Sequence, residues 1–228
     1  DFPIGFAHRG ARAERPDNTL AGFRRARELG ATGMESDAWL TADGVVVLDH
    51  DGVVRRGWRR LPIARLARRD LPAHIPTLED LYAEVGPDVD ISLDVKAAAA
   101  AEAVIAVGRR RGDLLRLWLC SPDPLLLRRW RALDPTVRMV LSTRRGRGGI
   151  HPPPRQVAAL GADAVNLRAQ EWTAELVGAC HAVGLAAFGW DAQNQATLAQ
   201  VLALGVDGVY SDHVGRMTAA LGELRASR

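Results

Sequence analysis

The residues best able to do chemistry lie at the ends of short apolar runs. Glu35-Ser36-Asp37 places two carboxylates two residues apart, and in an extended strand that spacing puts both on one face. Charges embedded in an apolar strand are costly unless they are paired or bind a cation. Asp94 and Lys96 repeat the spacing in Leu93-Asp94-Val95-Lys96. Three carboxylates, Glu35, Asp37 and Asp94, converging on one point would form a hard-oxygen site suited to one Mg²⁺ or Ca²⁺ rather than to zinc. Salt bridges to neighbouring arginines would explain any single pair but not the whole set. His8 and His50 each end an apolar run beside a charged residue, and imidazole titrates near neutrality, which suits a proton carrier. Arg9 and Lys96 would neutralise phosphate oxygens. Lys96 is the single lysine among thirty basic residues, so a habit of using lysine does not explain its place.

Elements must bring these residues together. Nine strand-like runs are expected at Ile4–His8, Gly33–Trp39, Val45–His50, Asp90–Lys96, Leu117–Ser121, Arg138–Ser142, Ala164–Leu167, Leu185–Trp190 and Gly208–Ser211. Helical runs are expected at Thr19–Leu29, Thr77–Val85, Ala97–Arg111, Pro124–Leu133, Pro154–Leu160, Thr173–Val183 and Gln195–Leu204. Such alternation predicts a parallel sheet with helices outside, and so many units favour a closed TIM-like (β/α)8 barrel. Nine runs must fill eight places. Asp43-Gly44 is a hairpin turn signal, so Gly33–His50 reads as a β-hairpin at the barrel mouth with one arm supernumerary. Either arm could be the barrel strand. A turn near Asp43 would set His50 across from Glu35 and Asp37.

Gly30, Gly161, Gly184 and Gly205 follow helical runs, as helix C-terminal glycines do, and Thr77 is a candidate N-cap. The Arg-rich segments 55–69 and 143–154 read as loops on the strand C-terminal face. The expected organisation is a single barrel domain over residues 1–228, with only a short insertion at about 51–75.

The chain's 228 residues, 47% hydrophobic and 25% charged, fit an ordinary globular domain. The net charge of +3 suits an anionic small molecule, and no nucleic-acid module is visible. No apolar run is long enough to span a membrane. Cys120 and Cys180 are expected to be free thiols. A cytoplasmic location is expected, with secretion kept open because the sequence opens on Asp1. Oligomeric state is not legible.

In chain order, His8-Arg9-Gly10, Pro16-Asp17-Asn18-Thr19, Glu35-Ser36-Asp37, Thr41-Ala42-Asp43-Gly44, His50-Asp51, Ile75-Pro76-Thr77-Leu78-Glu79, Leu93-Asp94-Val95-Lys96, Trp190 and Gly205–Asp212 resemble the glycerophosphodiester phosphodiesterase family. The resemblance implies a TIM-like barrel, a divalent metal held by Glu35, Asp37 and Asp94, and His8 and His50 as the acid/base pair. It also implies phosphate binding by Arg9 and Lys96, and Trp190 packed against the glycerol. The implied reaction yields glycerol phosphate and an alcohol, through a cyclic phosphate or by direct water attack. Asp94 stands where the family usually has Glu, Asp17 where it has Glu, and Asp191-Ala192-Gln193 where Thr-Val-Asn is common. The stretch after His50 also departs, which leaves the alcohol open.

Two alternatives follow from the same residues. Arg55, Arg56, Arg59, Arg60 and Trp58, with Arg144, Arg145 and Arg147, could surround the mouth and meet a lipid surface, as a lysophospholipase D would need. A barrel that binds phosphodiesters without turnover is the other.

Overall fold

The computed structural model describes residues 2–146 and 149–227. Eight parallel strands, Ile4–His8, Gly33–Leu40, Asp90–Val95, Leu117–Ser121, Arg138–Ser142, Ala164–Arg168, Ala186–Trp190 and Gly208–Ser211, form a closed ring. The first strand closes it, pairing Ile4 with Gly208 on one side and His8 with Glu35 on the other. Helices Leu20–Glu28, Leu78–Val85, Ala100–Arg111, Pro124–Arg131, Pro154–Ala159, Ala174–His181, Gln195–Ala203 and Val214–Ala226 surround it. The fold is a TIM-like (β/α)8 barrel.

Local chemistry explains the element ends. Thr77 and Asp80 form a reciprocal capping box at the start of their helix, which satisfies two otherwise orphaned N–H groups. The four glycines expected at helix ends all adopt positive φ. The helix Val214–Ala226 was not expected from the sequence. Gly215 and Gly222 lower its helix propensity, whereas burial of Val214, Met217, Ala220 and Leu221 holds it on the barrel. The helix expected from Ala97 starts at Ala100.

Inside the ring, aromatic side chains fill the lower barrel. Phe6 stacks on Tyr210 at 4.6 Å, and Phe188 meets Trp118 edge-on at 4.9 Å. Gly33 makes room for this layer, since a Cβ there would lie 2.4 Å from the Phe6 ring. Apolar faces of the helices pack outside. The polar site therefore sits above a buried aromatic layer.

The supernumerary arm is Val46–Leu48, antiparallel to Gly33–Leu40 with Ala38 opposite Leu48. The longer arm is the barrel strand. The short arm keeps one more cross-strand hydrogen bond, from Asp49 N to the Asp37 carbonyl at 3.1 Å, and His50 begins the turn. The segment expected as an Arg-rich loop at 55–69 instead contains an antiparallel hairpin, Val53–Arg56 with Arg59–Pro62. The alternation rule missed it because its outer residues are nearly all polar. Segment 143–154 contains a two-residue pairing of Arg145–Gly146 with Gly149–Ile150, and Arg147 lies outside the described residues. Cys120 and Cys180 are both free and buried. No helix among the described residues is long and apolar enough to cross a membrane.

Candidate active site

Strand register assembles the acidic centre. His8 pairs with Glu35 across one strand boundary, and Asp37 pairs with Asp94 across the next. The same-face spacing of Glu35 and Asp37 then brings all three carboxylates to one spot, with one oxygen from each within 4.8 Å of the others. Glu35 and Asp37 are buried and Asp94 is half-buried. The donor set consists of hard oxygens and could hold a divalent cation.

Asp37 is surrounded by donors. Lys96 Nζ lies 2.9 Å from Asp37 Oδ1 and 3.1 Å from Asp94 Oδ2. Arg9 Nε lies 3.3 Å from Asp37 Oδ2, a distance suited to an ion pair, although the N–H is misaligned for a hydrogen bond. Asn18 Nδ2 donates to Asp37 Oδ2 at 3.3 Å, while Asn18 Oδ1 accepts from Ser36 Oγ at 2.7 Å. Arg9 and Asn18 both adopt positive φ, at 54° and 51°. Side chains other than Gly adopt this region at a cost, and such positions cluster at functional sites.

His8 is gripped from two sides. Its Nδ1 lies 2.5 Å from Asp212 Oδ1, and its Nε2 faces Glu35 Oε2 at 3.7 Å. An ionised carboxylate only accepts, so Nδ1 carries a proton and Nε2 is the nitrogen turned to the acidic centre. Burial disfavours the charged ring, but Glu35 and the hydrogen bond to Asp212 outweigh it, and the net shift is upward from the ordinary value. Glu35 is pushed up to about 8, first by burial and then by Asp37 and Asp94, against the pull of His8 and Arg9. Burial alone would lower Lys96, yet Asp94 and Asp37 more than reverse it and its pKa rises. The centre is a place where negative charge is crowded and extra cation is welcome.

The centre opens into a cavity of about 940 Å³ across the barrel mouth. His8, Glu35, Asp94 and Asp212 line it together with Asn166, Arg168 and Trp190.

The model of the glycerophosphoryl diester phosphodiesterase family matches residues 8–216. The chain belongs to this family of phosphoric diester hydrolases. A Mycobacterium tuberculosis relative, named "Probable glycerophosphodiester phosphodiesterase 2", is 30% identical over 92% of this chain and 87% of its own length. A glycerophosphodiester phosphodiesterase of Caldanaerobacter subterraneus subsp. tengcongensis is 26% identical, covering 90% and 92%. Among solved structures, the glycerophosphodiester phosphodiesterase of Thermotoga maritima superposes with a TM-score of 0.82 at 25% identity, covering 96% of this chain and 98% of that one. A phosphodiesterase of Oleispira antarctica, solved with the product sn-glycerol-3-phosphate, has the same fold (TM-score 0.83, 20% identity, 97% of each chain).

Within this phosphodiesterase-family cavity the other expected residues are placed unequally. Trp190 lines the cavity, but the Arg168 guanidinium lies 5.8 Å from its ring centroid and is bonded to Asp191 at 2.6 and 2.9 Å. His50 does not line this cavity. It lines a neighbouring cleft of about 140 Å³ with Asp17, Asn18, Asp49 and His74, and its Nδ1 lies 2.8 Å from Asp51 Oδ1. The chain turns away only after Asp49, whose N–H still donates to the Asp37 carbonyl at 3.1 Å, and the His50 side chain lines the cleft instead of the cavity. The turn that follows is fixed by Trp39 Nε1 donating to the Asp49 carbonyl at 2.8 Å. It is fixed also by Gly52, with φ of +67°, where an added Cβ would lie 2.4 Å from the Trp39 ring.

The sequence offers no role for Asn166 or Arg168, and Gln193 stands in it only as part of a departure from the family's common pattern. Asn18 was legible only as part of a motif. Gln193 Oε1 accepts from Asp212 N at 2.9 Å and from Ser211 Oγ at 3.3 Å, which fixes the loop whose carboxylate holds His8. No local signal marks a glutamine for that task, because its partners are remote in sequence.

Proposed function

We propose that this chain hydrolyses glycerophosphodiesters to glycerol phosphate and an alcohol, with a divalent cation, Mg²⁺ or Ca²⁺, held by Glu35, Asp37 and Asp94. The observation that carries the reading is the meeting of three carboxylates from two strands beside a doubly held histidine at the mouth of a cavity. When bound, such a cation acts as a Lewis acid and template for a phosphoryl oxygen. Arg9 and Lys96, now spent on Asp37 and Asp94, are the cations nearest the acidic centre and would bind phosphate oxygens. His8 Nε2 faces the same centre and would carry a proton to or from the reacting oxygen. His50 is the second proton carrier, and its ring must turn from the neighbouring cleft to serve. Trp190 supplies an apolar wall for the glycerol.

The test is release of glycerol phosphate from glycerophosphocholine by the whole chain. Chelator should abolish it, added Mg²⁺ or Ca²⁺ should restore it, and Glu35→Gln should not be restored by either. Turnover that survives chelation, or is absent with every glycerophosphodiester and metal tried, would sink the reading. Lysophosphatidylcholine in the same assay tells whether the alcohol can carry an acyl chain.

A further inference from the structure

The hairpin Val53–Arg56 and Arg59–Pro62 takes no part in the site. It springs from Gly52, two residues after His50. Its base is anchored by Val54 and Ile63, which pack with Val47, Leu71 and Ile75. Beyond that base the apolar contacts stop. Arg55, Arg56, Gly57, Trp58, Arg59 and Arg60 are all exposed, and Trp58 at the tip is 88% exposed.

The register places like charges opposite each other, Arg55 against Arg60 and Arg56 against Arg59. Like charges directly across a sheet destabilise it. Elsewhere the chain pairs its arginines freely, as in Arg24–Glu84 and Arg109–Asp134. Among the described residues, none of the four hairpin arginines forms a salt bridge. Arg56 donates to the Asp70 carbonyl, and the nearby Asp51 is bonded to His50. The Arg59 guanidinium lies 5.2 Å from the Trp58 ring centroid, so the aromatic and the charge share one tip.

We infer that this hairpin is a docking surface for an anionic phospholipid membrane. Four exposed arginines without a salt bridge among the described residues answer a negatively charged headgroup layer, and an exposed tryptophan with an apolar body and a polar N–H suits the interface between headgroups and acyl chains. The shape favours a membrane over nucleic acid. A hairpin tip is convex, whereas a single strand is held in a groove that follows its backbone.

The experiment is co-sedimentation of the full chain with vesicles of phosphatidylcholine alone and of an equimolar mixture with phosphatidylglycerol. Binding is expected only to the mixed vesicles, falling as salt rises. Arg55→Gln with Arg60→Gln should weaken it about 25-fold, from about fivefold per arginine. Trp58→Ala should weaken it and remove a blue shift of the emission seen on binding. All these side chains are exposed, so the variants should melt with the wild type, and the salt series tests the wild type without any substitution. Failure to bind the mixed vesicles overturns the inference, as does equal binding to phosphatidylcholine alone. Binding that tolerates Trp58→Ala, together with tighter capture of single-stranded DNA, overturns it in favour of nucleic acid. His8→Ala should bind vesicles as the wild type does, so loss of turnover and loss of docking are separate results.

Discussion

His8 and His50 end comparable stretches of sequence, yet the fold treats them differently. His8 is 27% exposed, with Asp212 on one ring nitrogen and Glu35 before the other. His50 is 47% exposed and, among the described residues, its side chain is bonded only to its chain neighbour Asp51. The first ring is positioned by residues more than twenty and two hundred positions away, so its orientation is a property of the closed barrel. The second is positioned by one adjacent residue on a turn. A proton carrier works best when it is held where the reacting atom will be; under the proposed reaction His8 is already so held, and His50 would have to turn toward the acidic centre.

The hardest test of this contrast is removal of each ring. His8→Ala should lower kcat by about 10²–10⁴-fold with KM little changed. His50→Ala should also lower kcat, by about 10²-fold. Near-normal turnover in His50→Ala would end its part in the reaction. A smaller effect is expected one step out. Asp212→Asn removes the partner of His8 and should reduce kcat about tenfold, with the His8 ring titrating lower by NMR in the chelated protein. Asp51→Asn, at an exposed pair, should leave kcat within about twofold, because such pairs contribute little. An equal loss in both carboxylate variants would erase the distinction between held and unheld histidine.

The subtlest test is pH. In the chelated protein both Glu35 and His8 bind protons more tightly folded than unfolded, since both pKa values are raised. The folded state then holds more protons, and stability falls as pH rises. For Glu35 the window runs from 4.5 up through about 8, and for His8 it opens at 6.5. The melting temperature without metal should therefore drop across that range. Glu35→Gln should flatten the profile, and added divalent cation should raise the wild-type melting temperature most at the alkaline end. A flat wild-type profile in chelator would mean that the centre is less crowded than its geometry implies.

The acidic centre was legible because it depends on short-range rules. Glu35 and Asp37 share a face by strand periodicity, and Asp94 recurs at a strand end. The alternation of apolar runs also carried the barrel, down to the existence of a spare arm. Three things were not legible. Which arm joined the barrel depends on pairing with remote Asp90–Val95. The helix Val214–Ala226 contradicts its own glycines and is held by burial. The hairpin at 53–62 has polar residues on both faces and offers no alternation to read.

What the sequence alone determined, then, is the chemical inventory and the order of elements, because residue type, i to i+2 spacing and helix or strand periodicity are local quantities. What only the tertiary structure decided is who meets whom. Asp212 reaches His8 because the last strand closes on the first, Lys96 lies between Asp37 and Asp94 because two strands align in register, and His50 turns aside because the cross-strand hydrogen bonds end at Asp49. Those contacts join residues far apart along the chain, and their geometry is fixed only when the barrel closes.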